Sequence, residues 1–116
     1  MNPQPPPPPL SRDLPLSINP KQTHVVRTFT IDDVPLTTCR IDPTGTFVVA
    51  AAENFHIYRW PLAGPQSART VLHGHNSWVR SFDFSPDGQW LYSGGYDDRI
   101  GIWPLADPTP SPERML

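Results

Sequence analysis

Cysteine is nearly absent: Cys39 is the one thiol among 116 residues. It can form no intramolecular disulfide and cannot supply a zinc site by itself, so the sequence points to a reducing compartment, and a cytoplasmic location is expected. Charge is scarce as well, with nine Lys plus Arg against eleven Asp plus Glu and a formal net charge of -2. No long-range field is available to draw in nucleic acid or an acidic membrane, and neither is expected as a partner. Long apolar runs are missing. The longest, Phe47 to Ala52, falls far short of the roughly 20 residues a membrane helix needs, and the N-terminus has no apolar signal core. These absences describe a soluble, non-exported protein.

Proline, by contrast, is abundant and unevenly spread. Eight of 17 prolines lie in the first 20 residues, including the run Pro5 to Pro9, where fixed φ and missing N–H groups prevent helix and ladder pairing. Residues 1–22 are therefore expected to be a disordered proline-rich tail. Pro104, Pro108, Pro110 and Pro112 crowd the other end, followed by Glu113, Arg114 and Met115. Little there is apolar enough to anchor the chain, so residues 106–116 are expected to be a second disordered tail. All tryptophans, phenylalanines and tyrosines fall between residues 23 and 105. The packed unit must lie there.

That segment repeats itself. The turn Asp42-Pro43-Thr44-Gly45 returns as Ser85-Pro86-Asp87-Gly88, and Trp60-Pro61-Leu62 returns as Trp103-Pro104-Leu105, both at an offset of 43 residues. Ile57 falls on Ile100, and Phe47-Val48-Val49 falls on Trp90-Leu91-Tyr92. The units are residues 23–66 and 67–105. A period of 40 to 45 is the length of a four-stranded propeller blade. Helical repeats are excluded because neither unit has ten residues of 3.6 periodicity, whereas short β-branched and apolar runs bounded by turns recur about every ten residues.

The turns have a mechanism. In Ser85-Pro86-Asp87-Gly88, proline presets φ, the aspartate can fold back on the backbone, and Gly88 can take positive φ in a three-residue hairpin closed by a bulge. Strands are expected on either side, one carrying Phe82 and Phe84 on one face with Asp83 between them and one over residues 90–93, and again over 99–103. One period earlier they fall near 36–41, 46–51 and 56–60, with 70–73 as a linking strand and 25–30 as its counterpart ahead of the first unit.

The stretch 72–105 carries Gly74-His75, then Ser85-Pro86-Asp87-Gly88, then Ser93-Gly94-Gly95-Tyr96-Asp97, then Trp103, with 28 residues from His75 to Trp103. In order and spacing it closely resembles a WD repeat (β-transducin repeat). The resemblance implies an all-β chain of two four-stranded antiparallel β-propeller blades, an incomplete propeller, between the two tails. It also implies a buried structural tetrad of His75, Ser93, Asp97 and Trp103. The first unit departs from the pattern, with Asp32, Ala50 and Asn54 at the equivalent positions and only Trp60 retained. In both units proline follows the tryptophan where the family has aspartate.

The same residues also have the side-chain types of other chemistries. His75, Ser93 and Asp97 are the side-chain types of a hydrolase triad, yet no G-x-S-x-G elbow or strand-to-helix turn exposes a nucleophile, so no catalytic residue is assigned. His73 and His75 are the nearest thing to a metal pair, but His24 and His56 have no partner at ligand spacing, and no metal or other cofactor is expected. Gly94-Gly95 lacks the helix and lysine of a phosphate loop and reads as a strand end. Cys39 aligns with Phe82, which predicts an inert buried thiol.

Function then lies on surfaces. The resemblance implies that the loops around Asn76, Trp78, Arg80, Tyr96 and Asp98 gather on one end of the ring, and Trp and Arg are enriched where binding energy concentrates. Trp78 either contacts a partner there or packs on the neighbouring blade. Pro5 to Pro9 could engage a proline-reading domain as a preformed extended ligand. Two blades cannot close a ring of four to eight, so the expected role is a non-catalytic protein–protein interaction module or scaffold, a fragment or short member of a longer propeller family. The alternative is an assembly subunit whose copies build a ring by strand exchange, its second blade lacking a final strand after Trp103.

Overall fold

Two turns of the same design, 43 residues apart, each fold a hairpin in the computed structural model, which describes Val25, residues 27–107 and residues 110–116. In the first, Gly45 N donates to Asp42 O (2.9 Å) and Asp42 N to Phe47 O (3.0 Å); in the second, Gly88 N donates to Ser85 O (2.9 Å) and Ser85 N to Trp90 O (3.0 Å). Gly45 and Gly88 have φ of 73° and 72°, the left-handed conformation this hairpin requires and glycine adopts freely. The acidic group changes place between them. Asp42 accepts from the N–H groups of Thr44, Thr46 and Phe47, whereas in the second turn Asp87 Oδ1 accepts from Ser85 Oγ (2.6 Å) and Gln89 N.

The hairpins extend into two four-stranded antiparallel sheets. The first contains β1 (Leu36–Ile41), β2 (Phe47–Ala52), β3 (Ile57–Pro61) and β4 (Thr70–Leu72); the second contains β5 (Val79–Phe84), β6 (Trp90–Gly95), β7 (Ile100–Pro104) and β8 (Arg114–Met115). Strands pair in chain order, the arrangement of two propeller blades. Register repeats with the sequence: Val48 faces Trp60 as Leu91 faces Trp103, and bulges lie between Leu36 and Thr38 and between Val79 and Ser81. No helix among the described residues is long and apolar enough to cross a membrane.

The sheets pack through one core. Val49, Ala51, Ile57 and Leu72 of the first meet Val79, Phe82, Phe84, Leu91 and Trp103 of the second. Phe47 and Phe84 meet edge to face with centroids 5.9 Å apart, a geometry that suits the ring quadrupoles. Two arginines tie the blades at the backbone: Arg40 Nη1 donates to Phe82 O (3.0 Å), and Arg59 donates to Leu105 O and Asp107 O while its guanidinium lies 4.1 Å from the Phe47 centroid. The opposite face of the first sheet has its own cluster, Ala50, Ala52, Tyr58 and Trp60, against which Phe29, Ile31 and Val34 pack.

Three expectations differ from what is seen. The described residues of 25–30 form no strand; Phe29 packs on the cluster of Ala50, Ala52, Tyr58 and Trp60. Instead the Gln66 side-chain amide acts as a short ladder, its Oε1 accepting from Thr30 N (2.9 Å) and its Nε2 donating to Thr28 O (3.2 Å). The C-terminal segment does not hang free over residues 110–116. Ile100 and Leu116 exchange both backbone hydrogen bonds, Glu113 N donates to Ile102 O, and Met115 packs on the core. Apolar content was the wrong criterion there, since the open edge of β7 supplies hydrogen-bond partners to any backbone. β8 therefore fills the outer place that ring assembly by strand exchange needs vacant. Cys39, finally, is exposed, because its side of β1 faces away from the second blade and lines an open groove with Phe29, Ile41, Val48 and Leu62. The run Pro5 to Pro9 lies outside the described residues.

The β2–β3 and β6–β7 turns each hold a left-handed residue at the same repeat position, Phe55 (φ 75°) and Asp98 (φ 60°). Asp tolerates this conformation, whereas a bulky aromatic does not. Phe55→Asn is expected to stabilise the chain by roughly 0.5–1 kcal/mol, read as a higher urea midpoint; a lower midpoint would contradict the strain assigned to Phe55.

Candidate functional site

β6 and β7 place Ser93 opposite Gly101, and the loop after β4 brings His75 over the same face. Trp103 Nε1–H donates to Ser93 Oγ (2.8 Å), Ser93 Oγ lies 2.7 Å from His75 Nε2, and His75 Nδ1 lies 3.0 Å from Asp97 Oδ2. One directional scheme satisfies every member: the indole donates to the serine, the serine hydroxyl to Nε2, and Nδ1–H to the carboxylate. Burial makes this completeness matter, for Trp103 is 0%, Ser93 1% and His75 7% exposed, and an unpaired polar group there would cost about 1–3 kcal/mol. Ser93 Oγ, enclosed and doubly engaged, has the geometry of a strut and not of a nucleophile.

Asp97 extends the network to the loops. Its carboxylate also accepts from Asn76 N (2.8 Å) and Arg99 N (3.2 Å). Burial by itself raises the Asp97 pKa, but the hydrogen bonds from Asn76, His75 and Arg99 outweigh it and hold the carboxyl below its ordinary value. The loop before β5 and the β6–β7 turn are thus held by one side chain.

Above the network is an exposed aromatic face. Trp78 and Tyr96 are 45% and 56% exposed with centroids 6.2 Å apart, and the Arg80 guanidinium lies 5.0 Å from the Tyr96 centroid. Tyr96 N donates to Trp78 O (2.8 Å), locking the two loops together. Trp78 Nε1 reaches across to Glu53 O (3.2 Å) in the first blade, so this residue both packs on its neighbour and presents a free face. Asn76 and Asp98 are exposed at the edges. The structure thus brings Trp78, Arg80 and Tyr96 together and leaves Asn76 and Asp98 on the periphery.

In the first blade the same positions do something else. Asp32 is exposed, Ala50 offers no hydroxyl, and Trp60 Nε1 is buried without a hydrogen-bond partner among the described residues. Tyr58 stands where the second blade has Gly101, and Asn54 Nδ2 donates to its hydroxyl (2.8 Å). Gly101 decides between the two arrangements. A Cβ there would lie 2.6 Å from Trp103 Nε1 and 2.7 Å from Ser93 Oγ, so only glycine admits the indole–serine bond. At Gly95, a Cβ would press on Asp97 and His75 at 2.8 and 2.9 Å. Sequence reasoning missed both glycines as network residues, although a glycine inside a strand pattern is the known signal for close approach. It also missed His56, which the fold sets beside His73.

Asp97→Ala strands His75 and two backbone donors and is expected to cost roughly 2–4 kcal/mol in urea unfolding, with Asn54→Ala costing less. Since the folded carboxyl is held below its unfolded value near 3.9, its stabilisation is complete above about pH 4 and is lost as pH falls through the folded value. Asp97→Asn should flatten that acid limb; an unchanged limb would show that Asp97 does not carry it.

Comparison with known proteins agrees with this geometry. The family model described as "WD domain, G-beta repeat" matches residues 66–104. The chain is similar to the Periodic tryptophan protein 2 homolog of Schizosaccharomyces pombe, with 33% identity over 98 residues, 78% of this chain and 11% of that protein. It is similar also to Denticleless protein homolog B of Xenopus laevis, with 32% identity over 79 residues, 66% of this chain and 11% of that protein. The chain thus spans about a tenth of the length of these curated relatives. Among solved structures, "Structure of U3-55K" superposes with a TM-score of 0.66 at 22% identity over 78% of this chain and 28% of that one, a likeness of fold. Two four-stranded blades, a repeat of 43 residues and the matched segment together place this chain in the WD-repeat family.

Proposed function

We propose that the chain is a non-catalytic protein–protein interaction module, part of a longer cytoplasmic propeller protein, whose docking surface is the end face formed by Trp78, Arg80 and Tyr96, with Asn76 and Asp98 at its edge. The observation that supports this reading is the coincidence of exposure and rigidity. Large aromatic rings at 45% and 56% exposure are held by backbone bonds and by a buried network beneath them. A preordered Trp–Tyr–Arg cluster loses little entropy on binding, and these residue types dominate hot spots. The face offers apolar area together with a guanidinium, which suits a partner segment carrying an apolar anchor beside a carboxylate or a carbonyl. The run Pro5 to Pro9 is proposed as a second contact, for a proline-reading domain.

The test is co-purification of the intact protein with its partner, followed by affinity measurement on variants. Trp78→Ala is expected to weaken binding by about 2 kcal/mol, roughly 30-fold, with the far-ultraviolet circular dichroism spectrum unchanged. Equal binding by the wild type and by both Trp78→Ala and Arg80→Ala would place the docking surface elsewhere.

A further inference from the structure

The β3–β4 ladder pairs Ile57 with Leu72, so the next antiparallel step sets His56 opposite His73. Their rings lie 4.3 Å apart between centroids at an interplanar angle of 75°, with the Nδ1 atoms 3.1 Å from each other. Two nitrogens at that separation hold a single proton between them, one ring donating and the other accepting. The proton occupies a place a metal ion can take. With metal–nitrogen bonds of about 2.0–2.1 Å, a 3.1 Å span subtends about 100° at the ion, between octahedral and tetrahedral values.

We propose that His56 and His73 form a two-imidazole chelate for a borderline divalent transition metal, with zinc the natural probe. The backbone holds both ligands in place: His56 O accepts from Ala52 N (3.1 Å) in the β2–β3 turn, and His73 follows directly on β4. His73 is exposed and His56 half-buried, so an ion can approach from solvent without opening the core. Imidazole pairs suit zinc, copper and nickel and not calcium or magnesium. Among the described residues no group of three or more His, Cys, Asp or Glu is placed to hold a metal. The remaining coordination positions therefore fall to water or to a donor from a bound partner. The Glu53 carbonyl that receives Trp78 Nε1 belongs to the loop leading into His56.

The experiment is a titration of the full chain with zinc sulfate in a non-chelating buffer near pH 7.5, followed by calorimetry and by nitrogen-15 spectra of the histidine rings. The expected result is one zinc per chain, with the Nδ1 signals of His56 and His73 shifting together while those of His75 do not move. His56→Ala and His73→Ala should each abolish the saturable step, and His24→Ala should leave it intact; circular dichroism shows that the variants keep their fold. Zinc-induced shifts confined to other groups, a titration unchanged by both substitutions, or no shift at millimolar zinc would each overturn the proposal.

Discussion

The rest of the structure depends on a buried chain of hydrogen bonds running from the Trp103 indole through Ser93 and His75 to Asp97. Each member both fills core volume and satisfies its neighbour, so the second blade can bury an imidazole and a hydroxyl without an orphaned donor. The chain ends at the surface, where Asp97 also receives the Asn76 backbone. Loop shape is thus set by groups inside the blade. The exposed patch is built on loops that are hydrogen-bonded to this network and to each other, an arrangement that favours order in Trp78 and Tyr96.

The first blade shows what happens when several positions in such a system change. Tyr58 occupies the space that Gly101 leaves for the Trp103 indole, and Ala50 provides no hydroxyl. Trp60 is then held by shape: Phe29 and Tyr58 lie 5.5 and 5.9 Å from its ring. Dispersion and area burial replace the polar network, at the expense of a buried indole N–H without a partner among the described residues. Association with the second blade supplies further stability, through the shared apolar core and the Arg40 and Arg59 clamps on its backbone carbonyls.

Much of this was legible in the sequence because it is local or periodic. The 43-residue offset predicts the two hairpin turns and most of the strands, and the resemblance to a WD repeat implies the network of His75, Ser93, Asp97 and Trp103. Less legible were features that depend on what lies alongside. The strand at Arg114–Met115 is held by the open edge of β7 together with the packing of Met115 on the core. Cys39 shares a repeat position with Phe82 yet is exposed, since the repeat conserves backbone position while the neighbouring layer decides burial. The His56–His73 pair joins residues 17 positions apart, and no linear spacing rule reports a cross-strand neighbour.

Residue-resolved amide and indole hydrogen exchange on the full chain tests the central claim most directly. If the network couples the loops to the core, the Trp103 indole N–H and the amides of Asn76 and Tyr96 should exchange together, with protection close to that of β6, and all three should lose it in Asp97→Ala. Rapid exchange at Asn76 and Tyr96 while Trp103 and β6 stay protected would contradict it, and would mean that the loops move independently of the blade beneath them.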